Sequence, residues 1–178
     1  MKERSLVIFT LLAQAAVGIF VATLFLQVAH AFRPEASQAE ALRIYDLSIF
    51  LLIISFLLVC LGLFGALQHL GSPRRARRAV RNLGRSWLSR EIVFGLLFAG
   101  FEALAILAYL FPTVLIYSFL SSLLGAAICG LAFIFSMARV YMQRTLLTWN
   151  THRIQWSFFL TAGSLGALVT ALAMTAQS

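Results

Sequence analysis

Few side chains in this sequence could hold or move a proton away from open water. His69 and Glu91 stand at the two ends of a basic stretch that separates two apolar runs, and Glu102 interrupts the second of those runs. Oxidising a hydroquinone releases two protons and two electrons, so it needs bases beside the ring that titrate near neutrality. An imidazole does so unperturbed, and a neighbouring carboxyl can share the task. One reading therefore has His69 hydrogen-bonding a quinol hydroxyl while Glu91 or His69 takes protons as electrons leave. The other has both residues capping helices and snorkelling toward headgroups. Spacing alone leaves both open.

Glu102 lies 11 residues after Glu91, with Gly95 and Phe98 between them. At about 100° per residue that is three turns plus roughly 20°, so both carboxyls fall on one helix face. A charge near mid-span costs about 2.5–3.5 kcal/mol on insertion scales, so Glu102 is expected to be protonated or to face protein. Gln14 and Ser55, polar within their own apolar runs, are candidate partners. A mid-membrane carboxyl also raises the alternative of a small transporter or ion-pathway protein, although paired broken helices are not evident. A b-type cytochrome using His69 and His152 is disfavoured because His152 sits in a polar loop rather than within a span. Cys60 and Cys129 lie inside apolar runs, where a thiol behaves as a small hydrophobe, so neither a disulfide scaffold nor a thiolate metal site is expected.

The stretch from Gln68 to Glu91 is more specific than a basic linker needs. Ser72 suits an N-cap, Pro73 the first helical position, and Gly84 a left-handed stop. Between them a short helix is expected, with Arg74, Arg78, Arg81 and Arg85 in one cationic stripe and Ala76, Ala79, Val80 and Leu83 on an apolar face. That is the pattern of a helix lying on a membrane surface. The arginines suit lipid headgroups or an acidic protein partner. Nucleic acid is disfavoured, because no single-strand base platform accompanies them.

What must position these groups is a membrane bundle. Of 178 residues 61% are hydrophobic and 11% charged, with a mean hydropathy of +0.93. Soluble proteins average about 25% charged residues, so a soluble domain is excluded. Five runs are long enough to cross a bilayer, at about 6–29, 44–68, 89–111, 113–137 and 154–175. Period-two alternation is absent, so the fold expected is an all-α integral membrane protein of about five transmembrane helices in a single multi-pass domain. The first run, at 24 residues, is too long for the usual signal core of about 7–15 and reads as a true span. Twelve of the fourteen Lys and Arg fall on the face shared by the N-terminus, second loop and fourth loop. The positive-inside rule assigns that face to the cytoplasm.

The run His69-Leu70-Gly71-Ser72-Pro73, the pair Arg75-Ala76 and the run Leu88-Ser89-Arg90-Glu91-Ile92 closely resemble the membrane anchor subunit of anaerobic dimethyl sulfoxide reductase, the DmsC family. Weaker similarity extends to Leu6-Val7-Ile8-Phe9-Thr10 with Gln14 and Gly18, and to Arg139-Val140-Tyr141 with Trp149. The resemblance implies an inner-membrane anchor of a bacterial-type cell that carries no haem and binds menaquinol. It also implies that electrons pass to an iron–sulfur subunit feeding a molybdopterin catalytic subunit. By the same resemblance His69, Gly71 and Arg75 surround the quinol and Glu91 is its proton partner; in such an anchor the cationic stripe of Arg74, Arg78, Arg81 and Arg85 would help hold the iron–sulfur subunit electrostatically. Family members run several spans longer, so a shortened or C-terminally incomplete member is expected. The fourth loop also reads Leu146-Leu147-Thr148-Trp149 where the family favours proline before the tryptophan. In relatives the second loop faces the periplasm, opposite to the arginine count here.

Overall fold

In lipid a backbone has no water to bond, and a helix satisfies each N–H with the carbonyl four residues back. The computed structural model describes residues 2–33, 37–69, 83–142 and 151–176, and the protein adopts this solution five times. The helices are α1 (Lys2–Ala31), α2 (Gln38–His69), α3 (Trp87–Leu110), α4 (Pro112–Tyr141) and α5 (His152–Ala176). Each contains a stretch long and apolar enough to cross a membrane, and no strand occurs among the described residues.

The helices outrun the apolar runs that announce them. Hydropathy marks only the part in hydrocarbon, whereas polar residues at the interface continue the same helix. Thus α2 begins at Gln38 rather than 44, its first turn held by the Ser37 hydroxyl accepting from Glu40 N–H at 3.2 Å. At the other margin Ser86 caps α3 in an extended conformation, its hydroxyl accepting from Ser89 N–H at 3.3 Å. Between α3 and α4 stands one residue, Phe111, whose N–H bonds the Leu107 carbonyl at 2.9 Å. Pro112 then opens α4, where its missing N–H is no loss and its preceding residue is held off the helical conformation.

Packing centres on α1, which runs along α2 and α5 and also meets α4, while α3 pairs with α4 and touches α2. Small residues let backbones approach, as is usual where lipid and protein are equally apolar. A Cβ built on Gly18 of α1 would overlap the Ala162 carbonyl of α5, and one on Gly166 would overlap Gly18 itself. Larger residues fill the centre. Phe20 of α1 meets Phe98 of α3 edge to face with centroids 5.5 Å apart, and Phe9 meets Phe133 of α4 at 6.2 Å. Phe25, Phe64 and Leu160 point outward, in the positions a lipid-facing surface requires.

The contacts also fix which ends share a face. Thr10 near the start of α1 bonds Tyr141 at the end of α4, and Trp87 at the start of α3 packs on Phe135. The opposite face joins the start of α2 to the end of α3 through stacked Tyr45 and Tyr109 rings, 4.1 Å between centroids.

The expected loop helix, with Gly71, Arg74, Arg75, Arg78 and Arg81, lies outside the described residues. One part of that expectation is corrected. Gly84 is not in a left-handed conformation. The carbonyls of Leu83 and Gly84 accept from Arg90, Nε at 2.8 Å and Nη2 at 3.2 Å, so a side chain from α3 holds this entry to the helix.

Candidate functional site

His69 is the last residue of α2, and Glu91 lies in the first turns of α3. Lower on the same pair of helices, a Cβ on Gly95 would touch Leu63. Counting from that contact at about 1.5 Å per residue, Glu91 stands roughly 6 Å and the His69 backbone roughly 9 Å nearer the shared face. The fold therefore brings both to one boundary, less than a helical turn apart in depth. The His69 side chain, like Gly71 and Arg75, lies outside the described residues, and Arg85 is exposed where the second loop rejoins the described part of the protein.

Glu91 is only 4% exposed, yet it has no hydrogen bond or ion pair among the described residues. Its oxygens are not sealed off, so a bound molecule or a second-loop residue can reach the carboxyl and hydrogen-bond it. Glu91 shares its buried helix face with Gly95, Phe98 and Glu102, as the spacing predicts.

Glu102 is fully enclosed. Its Oε1 lies 2.6 Å from Ser55 Oγ, which in turn lies 2.7 Å from the Ala16 carbonyl oxygen. Ser55 has one hydroxyl proton and the carbonyl can only accept. With an ionised Glu102, one of these two short contacts would set oxygen lone pairs against each other. A protonated Glu102 removes the conflict by donating to Ser55, which donates to Ala16. Glu102 is thus the neutral member of a relay that ties α3 to α2 and α1. Of the two partners expected for it, Ser55 fills the role and Gln14 does not.

Gln14 instead lines a groove between α1, α4 and α5, with a volume of about 490 Å³, on the same membrane face as Glu91. Thr10, Tyr141, Ser157 and Thr161 join it there. No local motif marks these residues, because they come from three helices far apart in the sequence. The only signal was the weaker family similarity around Thr10, Gln14 and Tyr141. Trp87 was also missed. Two cations lie against it, the Arg90 guanidinium 4.3 Å and that of Arg139 4.9 Å from its ring.

The family model described as DMSO reductase anchor subunit (DmsC) matches residues 1–178. The C subunit of anaerobic dimethyl sulfoxide reductase from Haemophilus influenzae is 30% identical over 177 residues, 97% of this protein and 58% of that one. The YnfH subunit of anaerobic dimethyl sulfoxide reductase from Escherichia coli K12 is 30% identical over 98% of this protein and 58% of its own length. The C subunit from the same organism is 30% identical over 94% and 56%. The sequence therefore spans a little over half the length of the curated relatives it matches. No solved structure matches it significantly. With five apolar helices and a family match over its whole length, this multi-pass protein of the bacterial inner membrane belongs to the DMSO reductase anchor subunit (DmsC) family.

Proposed function

We propose that the protein anchors a molybdopterin oxidoreductase of the dimethyl sulfoxide reductase type, oxidising menaquinol and passing its electrons to an iron–sulfur subunit in anaerobic respiration. The observation that carries this reading is Glu91, a buried carboxyl without a described partner at the boundary where α2 delivers His69. One quinol hydroxyl bonds the His69 imidazole, and Glu91 receives a proton from the ring. The ring loses two protons and two electrons. The protons leave through these two side chains, and the electrons pass to the docked iron–sulfur subunit. Gly71 lets the second loop approach the ring closely, and Arg75 orients it. Arg74, Arg78, Arg81 and Arg85 hold the partner by charge. Terminal reduction belongs to the catalytic subunit.

The transporter alternative rested on a mid-membrane carboxyl able to meet a moving ion. Glu102 is enclosed and its Oε1 is hydrogen-bonded with Ser55, which favours a structural role for it over an ion path, although its Oε2 has no partner among the described residues. The deciding experiment replaces His69 with Leu in the assembled complex. Quinol-dependent reduction is expected to disappear while the subunits still co-purify, and undiminished quinol turnover would defeat the assignment.

A further inference from the structure

The groove between α1, α4 and α5 has features that packing alone does not explain. Gln14 lines it, is 3% exposed, and its side-chain amide has no hydrogen-bond partner among the described residues. Its amide is not sealed in the core but opens onto the groove, where a ligand would meet it. The groove is open at the bundle surface, where Val7 and Leu11 on its rim are about half exposed.

The other polar groups fix what kind of molecule suits it. Thr10 Oγ1 lies 2.8 Å from the Leu6 carbonyl and 2.9 Å from the Tyr141 hydroxyl. Thr10 has one proton and the carbonyl can only accept, so Tyr141 donates to Thr10 and keeps its own oxygen free to accept. Ser157 donates to the Ile154 carbonyl at 2.7 Å, and Thr161 to the Ser157 carbonyl at 2.8 Å. Their protons are engaged as well. The groove thus offers acceptor oxygens together with one amide that can both donate and accept.

Among the described residues no charged side chain lines the groove, so it lacks what a phosphate headgroup needs. Gln14 lies eight residues beyond Leu6, the first residue of the apolar stretch, and hence roughly 12 Å into the span. The groove's volume falls in the common range for small-molecule sites, about 300–1,000 Å³. The Tyr141 and Phe158 rings, 5.3 Å apart, supply an aromatic wall. An uncharged ring bearing hydroxyl donors meets every one of these conditions. Its oxidised form, with carbonyls only, would find a donor in Gln14 alone.

We propose that this groove is a second binding site for hydroquinone, reached from the lipid and selective for the reduced over the oxidised ring. The proposal rests on the quinol reading above but builds its site from α1, α4 and α5 rather than from His69 and the motif of the second loop.

The test uses the full-length protein in lipid nanodiscs and a short-tailed naphthohydroquinone carrying a diazirine, kept reduced without oxygen and mapped by mass spectrometry after illumination. Cross-links are expected within residues 7–14 and 154–161, displaced by unlabelled hydroquinone far better than by the quinone. Gln14→Leu should cut this labelling about tenfold, and Tyr141→Phe severalfold. The second variant removes one oxygen and keeps the test decisive if the first does not fold. Absence of label on these segments, equal displacement by the quinone or by phosphatidylglycerol, or indifference to both variants overturns the proposal. His69→Leu separates the two readings. Lost quinol turnover with no groove labelling removes the groove and keeps the second-loop site, whereas groove labelling with turnover intact in His69→Leu does the reverse.

Discussion

Gly18 of α1 and Gly166 of α5 meet backbone to backbone, so closely that neither position has room for a methyl group. Any side chain at Gly18 must push α5 away or break the crossing. Gly18→Val is expected to destabilise the bundle at the upper end of the usual overpacking range of about 1–3 kcal/mol. Gly163→Ala, with open space around it, should stay within about 0.5 kcal/mol. Thermal unfolding of both variants in detergent distinguishes them, and equal melting temperatures would show that the close crossing is not needed for stability.

Glu102 donates to Ser55 only while it holds its proton. Glu102→Gln preserves a neutral donor of nearly the same shape and should fold with a modest loss of stability, whereas Glu102→Ala leaves Ser55 and a cavity behind. Infrared spectra provide the direct readout. The wild type should show a protonated-carboxyl band at pH 7 that is absent from Glu102→Gln, and a carboxylate band in its place would contradict the hydrogen-bond assignment.

Arg90 bonds the carbonyls of Leu83 and Gly84 while lying over Trp87. Arg90→Gln should loosen this junction and raise its proteolysis rate severalfold without unfolding the helices. Lysine should restore only part of the protection, because it lacks the planar fork. Limited proteolysis followed by mass spectrometry measures both effects.

If the proposed iron–sulfur partner docks on Arg74, Arg78, Arg81 and Arg85, replacing all four with Gln should lower the salt concentration at which it is lost during purification. Surface charge pairs are screened by salt and act mainly on association. An unchanged salt profile would assign these arginines to lipid instead.

The sequence announces five crossings, and their apolar length is enough to find them. Which face of each helix turns inward is far less legible. A soluble helix shows a polar back, but here lipid is as apolar as the core, so Leu61 and Leu52 look alike in sequence although one is exposed and the other buried. That is why Gln14 could be assigned to Glu102 when it lies on a different surface. Glu91 was legible because a carboxyl at the edge of an apolar run stands out by type. Thr10, Tyr141, Ser157 and Thr161 were not, because ordinary polar residues become a site only when three distant helices converge.

The single residue between α3 and α4 bears on how this protein is made. With Phe111 alone joining Leu110 to Pro112, the far end of the pair carries no hydrophilic segment that would have to be hauled through the bilayer. Because the two helices also pack along each other, they should leave the insertion machinery together as a preassembled hairpin. On that side, a cytosolic or periplasmic protein would find almost nothing to grip between them.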